Sequence, residues 1–129
     1  MRSQRLAQRI ERFQRAVHRL EEACAQPENE FIRDSVIQRL EFCFEPAWKM
    51  LKHKLLEEGI DAPTPRAVIR EAVSARLLED GNLWSEMLHK RNLTSHTYDD
   101  DLAREIYDFV CATALPELQT LQRASSQWQ

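Results

Sequence analysis

Three side chains that can act on phosphate lie close together in the second half of the chain. Arg91, His96 and Tyr98 fall within residues 91–98, and Asn92 directly follows the arginine. Arginine binds phosphate through a planar fork of donors, and histidine is the side chain whose ordinary pKa allows proton transfer near neutral pH. Together, an arginine and a histidine can hold and cleave a phosphodiester without a metal ion.

The spacing of the arginine and the histidine requires a break in the helix between them. In an unbroken helix Arg91 and His96 would lie about 140° apart, too far to serve one phosphate. Ser95 and Thr97 favour caps over helix interiors, and residues 97–100 follow a capping-box pattern with Asp in place of Glu. We therefore predict that one helix ends near Arg91 and another starts near Thr97. A dimer could also bring an arginine and a histidine together, by placing two copies of this segment face to face. Taken alone, the set of Arg91, His96 and Tyr98 also fits a purely structural role.

Composition indicates an all-helical protein. The chain has 129 residues and only two glycines, which favours one domain (1–129) of helices with short connections. The fold class is therefore predicted as all-α, an up-and-down antiparallel bundle of about five helices. Kinks are expected at Pro46 and Pro116. The predicted helices cover about residues 3–24, 31–58, 65–79, 82–91 and 97–124, with a frayed tail at 125–129.

Start and stop signals frame these helices. Asn29 and Thr64 stand at N-cap positions, and Pro65 suits a first helical residue. Gly59 suits the position after the second helix. In the first helix the apolar residues recur every three or four positions, which predicts a buried seam. The residues of this seam are Leu6, Ile10, Phe13, Val17 and Leu20.

Positive charge is concentrated at the start of the chain. Residues 1–20 carry six arginines against one glutamate, whereas the whole chain has a net charge of −3. The overall charge argues against a general nucleic-acid binder. The basic flank of the first helix is either a solvated face or a docking surface for an acidic partner or a nucleic-acid backbone. The docking candidates are Arg5, Arg9 and Arg12.

Other common kinds of site have no support in the sequence. Three widely spaced cysteines do not favour a disulfide framework and fit the reduced cytoplasm; Cys43 and Cys111 are expected in the core. The histidines lack ligand-like spacing, so no metal is expected. Without a glycine-rich phosphate loop, no nucleotide cofactor is expected either. No apolar run approaches about 18 residues, so a membrane span is not predicted.

Ordered blocks along the chain resemble a prokaryotic protein family. Over about residues 5–122 they are similar to the nucleotidyltransferase substrate-binding proteins of the HEPN superfamily, which are related to HepT toxins. Pro46 departs from the family pattern, where an aliphatic residue is usual. The matching blocks are residues 32–42, Phe44-Glu45, Ala47-Trp48-Lys49, Pro65-Arg66, Arg70-Glu71-Ala72 and Trp84-x-x-Met87-Leu88-x-x-Arg91-Asn92-x-x-Ser95-His96-Thr97-Tyr98.

The resemblance implies a homodimer whose partner is a minimal nucleotidyltransferase. One implied activity is that of a toxin, a metal-independent endoribonuclease silenced by its antitoxin partner. Arg91 would then stabilise the RNA phosphate, His96 would act as acid and base, and Asn92 would position the substrate or the motif. Tyr98 matches the tyrosine to which the partner adds AMP. The alternatives are a non-catalytic subunit that presents a substrate to the nucleotidyltransferase, and a structural bundle with a vestigial Arg–His pair.

Overall fold

Every regular element in the described part of the chain is helical. The computed structural model describes residues 4–96 and 99–128. A 3₁₀ turn, Thr94–His96, follows the fourth helix, and a π-helical turn, Val110–Ala114, joins the fifth and sixth into one arm. The predicted all-α bundle of about five helical segments is therefore confirmed. The helices are α1 (Gln4–Cys24), α2 (Glu30–Glu57), α3 (Pro65–Ser74), α4 (Gly81–Asn92), α5 (Asp100–Phe109) and α6 (Leu115–Ser125).

The long helix α2 is the centre of the bundle. It packs along α1 and also contacts α3, α4, α5 and the 3₁₀ turn. The side chain of Asn29 caps its start by accepting the Ile32 N–H at 2.9 Å. Gly59, with φ of +83°, closes its other end in the left-handed conformation that glycine adopts without a steric penalty. The backbone stays α-helical through Pro46.

The seam predicted for α1 is confirmed. All five of its apolar residues are at most 2% exposed, and α1 packs against both α2 and α6. At the other side of α2, the rings of Phe44 and Trp84 lie 6.2 Å apart in the core. Burial of these large side chains, rather than local helix propensity, supplies most of the stability of these helices.

The third helix ends earlier than the sequence predicted. It stops at Ser74, and the N–H groups of Arg76 and Leu77 donate back to the carbonyls of Val73 and Ala72 at 3.1 and 2.8 Å. Arg76 takes φ of +63° in this turn, a position where glycine is usual. Leu78 lies in the turn after the helix and is still buried. The pattern of apolar residues therefore extends past the end of the helix.

The fifth helix begins later than predicted. Its N-cap is Asp99, whose carboxylate accepts the N–H groups of Asp101 and Leu102 at 2.9 and 3.3 Å. A carboxylate caps a helix at least as well as a threonine hydroxyl, so the start moves from Thr97 to Asp100. Thr97 itself lies outside the described residues.

A π-helical turn occupies the position where a proline kink was expected. Within Val110–Ala114 the helix widens, and the N–H of Leu115 donates to the carbonyl of Val110, five residues back. Proline lacks an N–H and clashes with the carbonyl four residues before it. The wider turn lies directly before Pro116, and π turns of this kind occur singly within α-helices.

The C-terminal residues pack on the bundle as far as they are described. Ser125 is buried, and its hydroxyl donates to the carbonyl of Gln122 at 2.9 Å. Trp128 packs against the core beneath Lys54, whose Nζ lies 5.7 Å from the ring centre. Ser125 and Trp128 thus contact the bundle within the segment 125–129 where a frayed tail is predicted, and Gln129 lies outside the described residues. None of the described helices is long and apolar enough to cross a bilayer.

The two cysteines expected in the core have different environments. Cys43 is fully buried, as predicted. Cys111 is only partly buried, and its sulfur lies 2.6 Å from that of Cys24. The expectation of a core position for Cys111 is corrected, because the π-helical turn brings this residue to the end of α1 instead.

Candidate functional site

The predicted helix break separates the arginine from the histidine. Arg91 lies in the last turn of α4, which ends at Asn92, and His96 closes the 3₁₀ turn that follows. The backbone N–H of His96 donates to the carbonyl of Leu93 at 3.0 Å, and the residue is exposed. Because α4 ends between the two residues, the angle of about 140° that an unbroken helix would place between their side chains does not apply. Tyr98, the third residue of the string, lies outside the described residues.

The guanidinium of Arg91 is held by two partners. Its Nη2 lies 3.0 Å from Oε2 of Glu45 on α2, and its Nη1 donates to Oδ1 of Asn92 at 3.3 Å. Its Nε is buried and has no hydrogen-bond partner among the described residues. The side chain remains 32% exposed, so part of it is accessible to an anion.

Glu45 carries a negative charge at neutral pH. Partial burial alone would raise the pKa of its carboxyl, but hydrogen bonds from Trp48 and Lys49 lower it. The positive charges of Lys49 and Arg91 act in the same direction, and the pKa falls below its ordinary value. Arg91 is therefore positioned by an ionised partner. The two cations Arg91 and Lys49 and the anion Glu45 together carry one net positive charge.

A second carboxylate of α2 holds the turn that carries the histidine. The hydroxyl of Thr94 lies 2.9 Å from Oε1 of Glu41 and 2.8 Å from the carbonyl of Arg91. Glu41 and Glu45 are one helical turn apart on α2, so they face the same neighbour. One helix thus anchors both sides of the break. Sequence reasoning assigned these two acids no role; their four-residue spacing on a predicted helix was the signal that could have identified them.

The opposite side of the break is acidic. Asp99, Asp100 and Asp101 are all exposed at the start of α5, and the N–H of Asp99 donates to the carbonyl of His96 at 3.3 Å. No group of three or more metal-ligating side chains occurs within residues 4–96 and 99–128. The described site therefore offers an arginine that can bind phosphate and a histidine that can transfer a proton, next to carboxylates that repel phosphate.

The arginines predicted to dock a partner line two separate grooves between α1 and α2. Arg5 and Arg9 border a groove of about 280 Å³ together with Trp48 and His53. Arg12 borders a different groove of about 260 Å³, whose other walls include three more arginines. The basic flank is thus divided into two surfaces along the seam where the two helices meet.

Comparisons with known proteins agree on one family. The sequence pattern of the family described as nucleotidyltransferase substrate binding protein like matches residues 8–127. A Haemophilus influenzae protein named probable ribonuclease HepT is 33% identical, over 67% of this chain and 66% of its own length. The chain thus spans just under two thirds of that relative.

Solved structures share the fold over nearly the whole chain. A Haemophilus influenzae protein with the fold of a substrate-binding domain of a nucleotidyltransferase superposes with a TM-score of 0.82 at 27% identity, covering 92% of this chain and 99% of its own. A tri-AMPylated Shewanella oneidensis HEPN toxin, solved in complex with an MNT antitoxin, superposes with a TM-score of 0.78. That toxin is 16% identical over 99% of this chain and 100% of its own, which supports the fold alone.

Proposed function

This chain belongs to the nucleotidyltransferase substrate-binding protein-like family, and on that premise we propose that it is the HepT-like toxin of a nucleotidyltransferase/HEPN pair. Its activity is that of a metal-independent endoribonuclease, with Arg91 and His96 as catalytic residues and Asn92 as a positioning residue. The relative named probable ribonuclease HepT supports this assignment. RNA is the substrate, and the cytoplasm, where RNA and nucleotides are plentiful, is the compartment.

The proposed reaction uses the RNA itself as the nucleophile. The 2′-oxygen bonds to phosphorus while the bond from phosphorus to the 5′-oxygen breaks, which leaves a 2′,3′-cyclic phosphate and a 5′-hydroxyl. His96 accepts the proton of the 2′-hydroxyl and supplies one to the departing 5′-oxygen. Arg91 stabilises the charge that builds up on the phosphoryl oxygens. No step requires a metal ion or an external cofactor.

The observation that carries this proposal is the state of Arg91. Its guanidinium is oriented by Glu45 and Asn92 while its side chain stays 32% exposed beside the turn that ends in His96. Preorganised donors are what transition-state stabilisation requires, since they are not reoriented during the reaction.

Single substitutions test the assigned roles. Purified protein is incubated with single-stranded RNA in EDTA, and the products are resolved on a gel. We expect His96→Ala to lower the cleavage rate by about 10²–10⁴-fold, the typical worth of a general acid–base, and Arg91→Ala to abolish cleavage. His89→Ala is the matched control, because His89 is an exposed histidine on α4. Retained cleavage by the His96 variant, with unchanged helicity, would contradict the role of His96.

Silencing is assigned to Tyr98. Addition of AMP there would bring bulk and negative charge to the site where RNA phosphate binds. The chain has two tyrosines, and Tyr107, whose residue is only 9% exposed, serves as the matched control. After incubation with the partner and ATP, we expect intact mass to increase by AMP in wild type and in Tyr107→Phe, but not in Tyr98→Phe. Modification of the Tyr98 variant would refute the assignment.

The partners in this proposal are a second copy of the chain and a minimal nucleotidyltransferase. The three aspartates at the start of α5 repel RNA phosphate, so a second Arg91 from a dimer mate strengthens phosphate binding at the site. The complex of the Shewanella toxin with its MNT antitoxin is the precedent for the nucleotidyltransferase. Sedimentation equilibrium should give the mass of a dimer, and a monomer at micromolar concentration would exclude this arrangement.

A second candidate function is that of a non-catalytic subunit. The Haemophilus structure with the TM-score of 0.82 supports it, because that protein has the fold of a substrate-binding domain of a nucleotidyltransferase. In this case the chain presents an acceptor to its partner and cleaves nothing. Expression of the chain alone separates the two: a toxin arrests growth unless His96 is replaced, whereas a subunit has no effect.

A further inference from the structure

A groove lined by arginines runs along the outer seam between α1 and α2. Its volume is about 260 Å³. The α1 residues are spaced by three and four positions, so they share one face of that helix. The walls are Arg12, Arg15, Ala16 and Arg19 from α1, and Arg39 and Phe42 from α2.

The positive charge of this arginine groove is largely uncompensated. Arg15 pairs with Glu11 at 2.7 Å, both being exposed, and such a pair is weak in water. Within the described residues, no carboxylate lies within ion-pairing distance of Arg12, Arg19 or Arg39. Arg39 donates to the backbone carbonyl of Arg19 instead, which fixes its guanidinium at the wall of the groove. In a protein of net charge −3, this groove is a local site for anions.

An aromatic ring stands at the edge of the same groove. Phe42 is 58% exposed and lines this groove together with the arginines, so its ring is accessible to a bound molecule. Guanidinium groups beside an exposed aromatic ring form the combination that binds single-stranded nucleic acid: the cations hold phosphates, and the ring stacks with a base. An acidic peptide would use the arginines but has less use for the ring.

The groove and the Arg91 site share the helix α2. On α2, Phe42 lies three residues after Arg39 and three residues before Glu45. Three residues turn a helix by about 300° and rise about 4.5 Å, so the three side chains step diagonally over its surface. Glu45 is the residue that holds Arg91. Phe42 therefore lies on α2 between the wall of the arginine groove and the residue that holds Arg91.

We propose that the arginine groove binds the single-stranded RNA that flanks the bond to be cleaved. The guanidinium groups of Arg12, Arg19 and Arg39 hold backbone phosphates, and Phe42 stacks with one base. This inference rests on the proposed ribonuclease function. It adds a substrate class, single-stranded RNA, because a stacking platform requires an unpaired base.

Binding is measured separately from cleavage. In a His96→Ala background, fluorescence anisotropy follows a labelled single-stranded RNA of about 16 nucleotides, the upper site size of small single-strand binders. We expect the double variant Arg12→Gln with Arg19→Gln to weaken binding at least fivefold. The slope of the logarithm of the binding constant against the logarithm of salt concentration should fall in magnitude by about 1.4, or about 0.7 per lost phosphate contact. Phe42→Ala should weaken binding about fivefold or more. The matched control is Arg66→Gln with Arg70→Gln, two exposed arginines of α3, with less than a twofold effect.

The outcomes separate this inference from the proposed function. If groove variants bind RNA as the control pair does, the groove inference fails even when wild type cleaves RNA. If wild type cleaves nothing but the groove variants alone lose RNA binding, the ribonuclease proposal fails and the groove stands as an RNA-binding surface. If RNA binding is intact while affinity for the nucleotidyltransferase falls, the groove belongs to that partner and the RNA inference is overturned. Circular dichroism on every variant confirms that the bundle is folded.

Discussion

Glu45 on α2 and Arg91 on α4 form an ion pair with 3.0 Å between Oε2 and Nη2, although 46 positions separate them in sequence. The pair orients the arginine at the end of its helix, and the arginine side chain stays 32% exposed. It also links the candidate site to the central helix of the bundle. Through Glu41 and Thr94, the same helix holds the turn that ends in His96.

The ion pair should make a small contribution to stability that depends on pH. Glu45→Gln is expected to lower the free energy of unfolding by about 0.5 kcal/mol at pH 7, since both side chains are about one-third exposed and solvent screens the pair. Because the pKa of Glu45 is lowered in the folded state, the contribution is complete above the ordinary value of about 4.3. It is lost as the pH falls through the lowered value. Urea denaturation at pH 7 and at about pH 3 measures both limits.

A double-mutant cycle isolates the pair itself. Glu45→Gln and Arg91→Ala should be less than additive at pH 7, with a coupling energy of about 0.5 kcal/mol. Glu86→Gln is the control, because Glu86 is an exposed acid on α4 and should show no coupling to Arg91. Full additivity of the Glu45 and Arg91 substitutions would show that the ion pair does not orient the arginine.

Thr94 should matter for the turn that carries His96. Thr94→Val keeps the shape but removes the hydroxyl that contacts Glu41 and the carbonyl of Arg91. We expect the free energy of unfolding to fall by about 1 kcal/mol, the typical worth of a hydrogen bond, and RNA cleavage to slow with it. Thr94→Ser should restore both quantities, and Ser95→Ala, at the exposed neighbouring position, should change neither. Failure of serine to rescue would mean that the hydroxyl is not the anchor.

The contact between Cys24 and Cys111 should make one thiol more reactive than the other. Their sulfurs are in direct contact, and the interaction with Cys24 lowers the pKa of Cys111 despite its partial burial; Tyr107 also lowers it. The same interaction, together with burial, raises the pKa of Cys24. A lowered pKa means more thiolate at a given pH, so iodoacetamide should modify Cys111 first, as mass spectrometry of peptides would show.

Removal of the partner thiol tests this explanation. Cys24→Ala should shift the midpoint of the rate of Cys111 alkylation to higher pH, because the thiolate loses a hydrogen-bond partner. Cys43→Ala is the matched control, since Cys43 is buried and takes no part in this contact. An unchanged midpoint in the Cys24 variant would assign the reactivity of Cys111 to Tyr107 or to exposure alone.

Arg76 occupies a backbone conformation that disfavours its own side chain. At φ of +63°, a residue with a Cβ pays about 1–2 kcal/mol, partly offset in Arg76→Gly by the greater freedom of glycine in the unfolded chain. We expect this variant to gain about 0.5 kcal/mol of stability, measured by urea denaturation. Arg70→Gly, inside α3, should instead lose about 1 kcal/mol. A destabilised Arg76→Gly would show that the arginine side chain contributes contacts that outweigh the strain.

Local features of the fold were predictable because they depend on neighbours in sequence. The seam of α1, the caps at Asn29 and Thr64, and the closing glycine at Gly59 follow from periodicity and from which side chains reach the nearest backbone groups. The break between Arg91 and His96 belongs to the same class. The predicted start of α5 was wrong by a few residues, because several neighbouring side chains can cap a helix and the cap is Asp99 rather than Thr97.

Only the tertiary structure decided which distant residues meet. Three contacts join residues that are far apart in sequence. Glu45 pairs with Arg91, and Cys24 contacts Cys111. Arg39 and Phe42 of α2 line one groove with the arginines of α1. Periodicity specifies the buried face of each helix, but not its rotation and offset against the next one. Packing of the whole core sets those, and with them the side chains that orient Arg91.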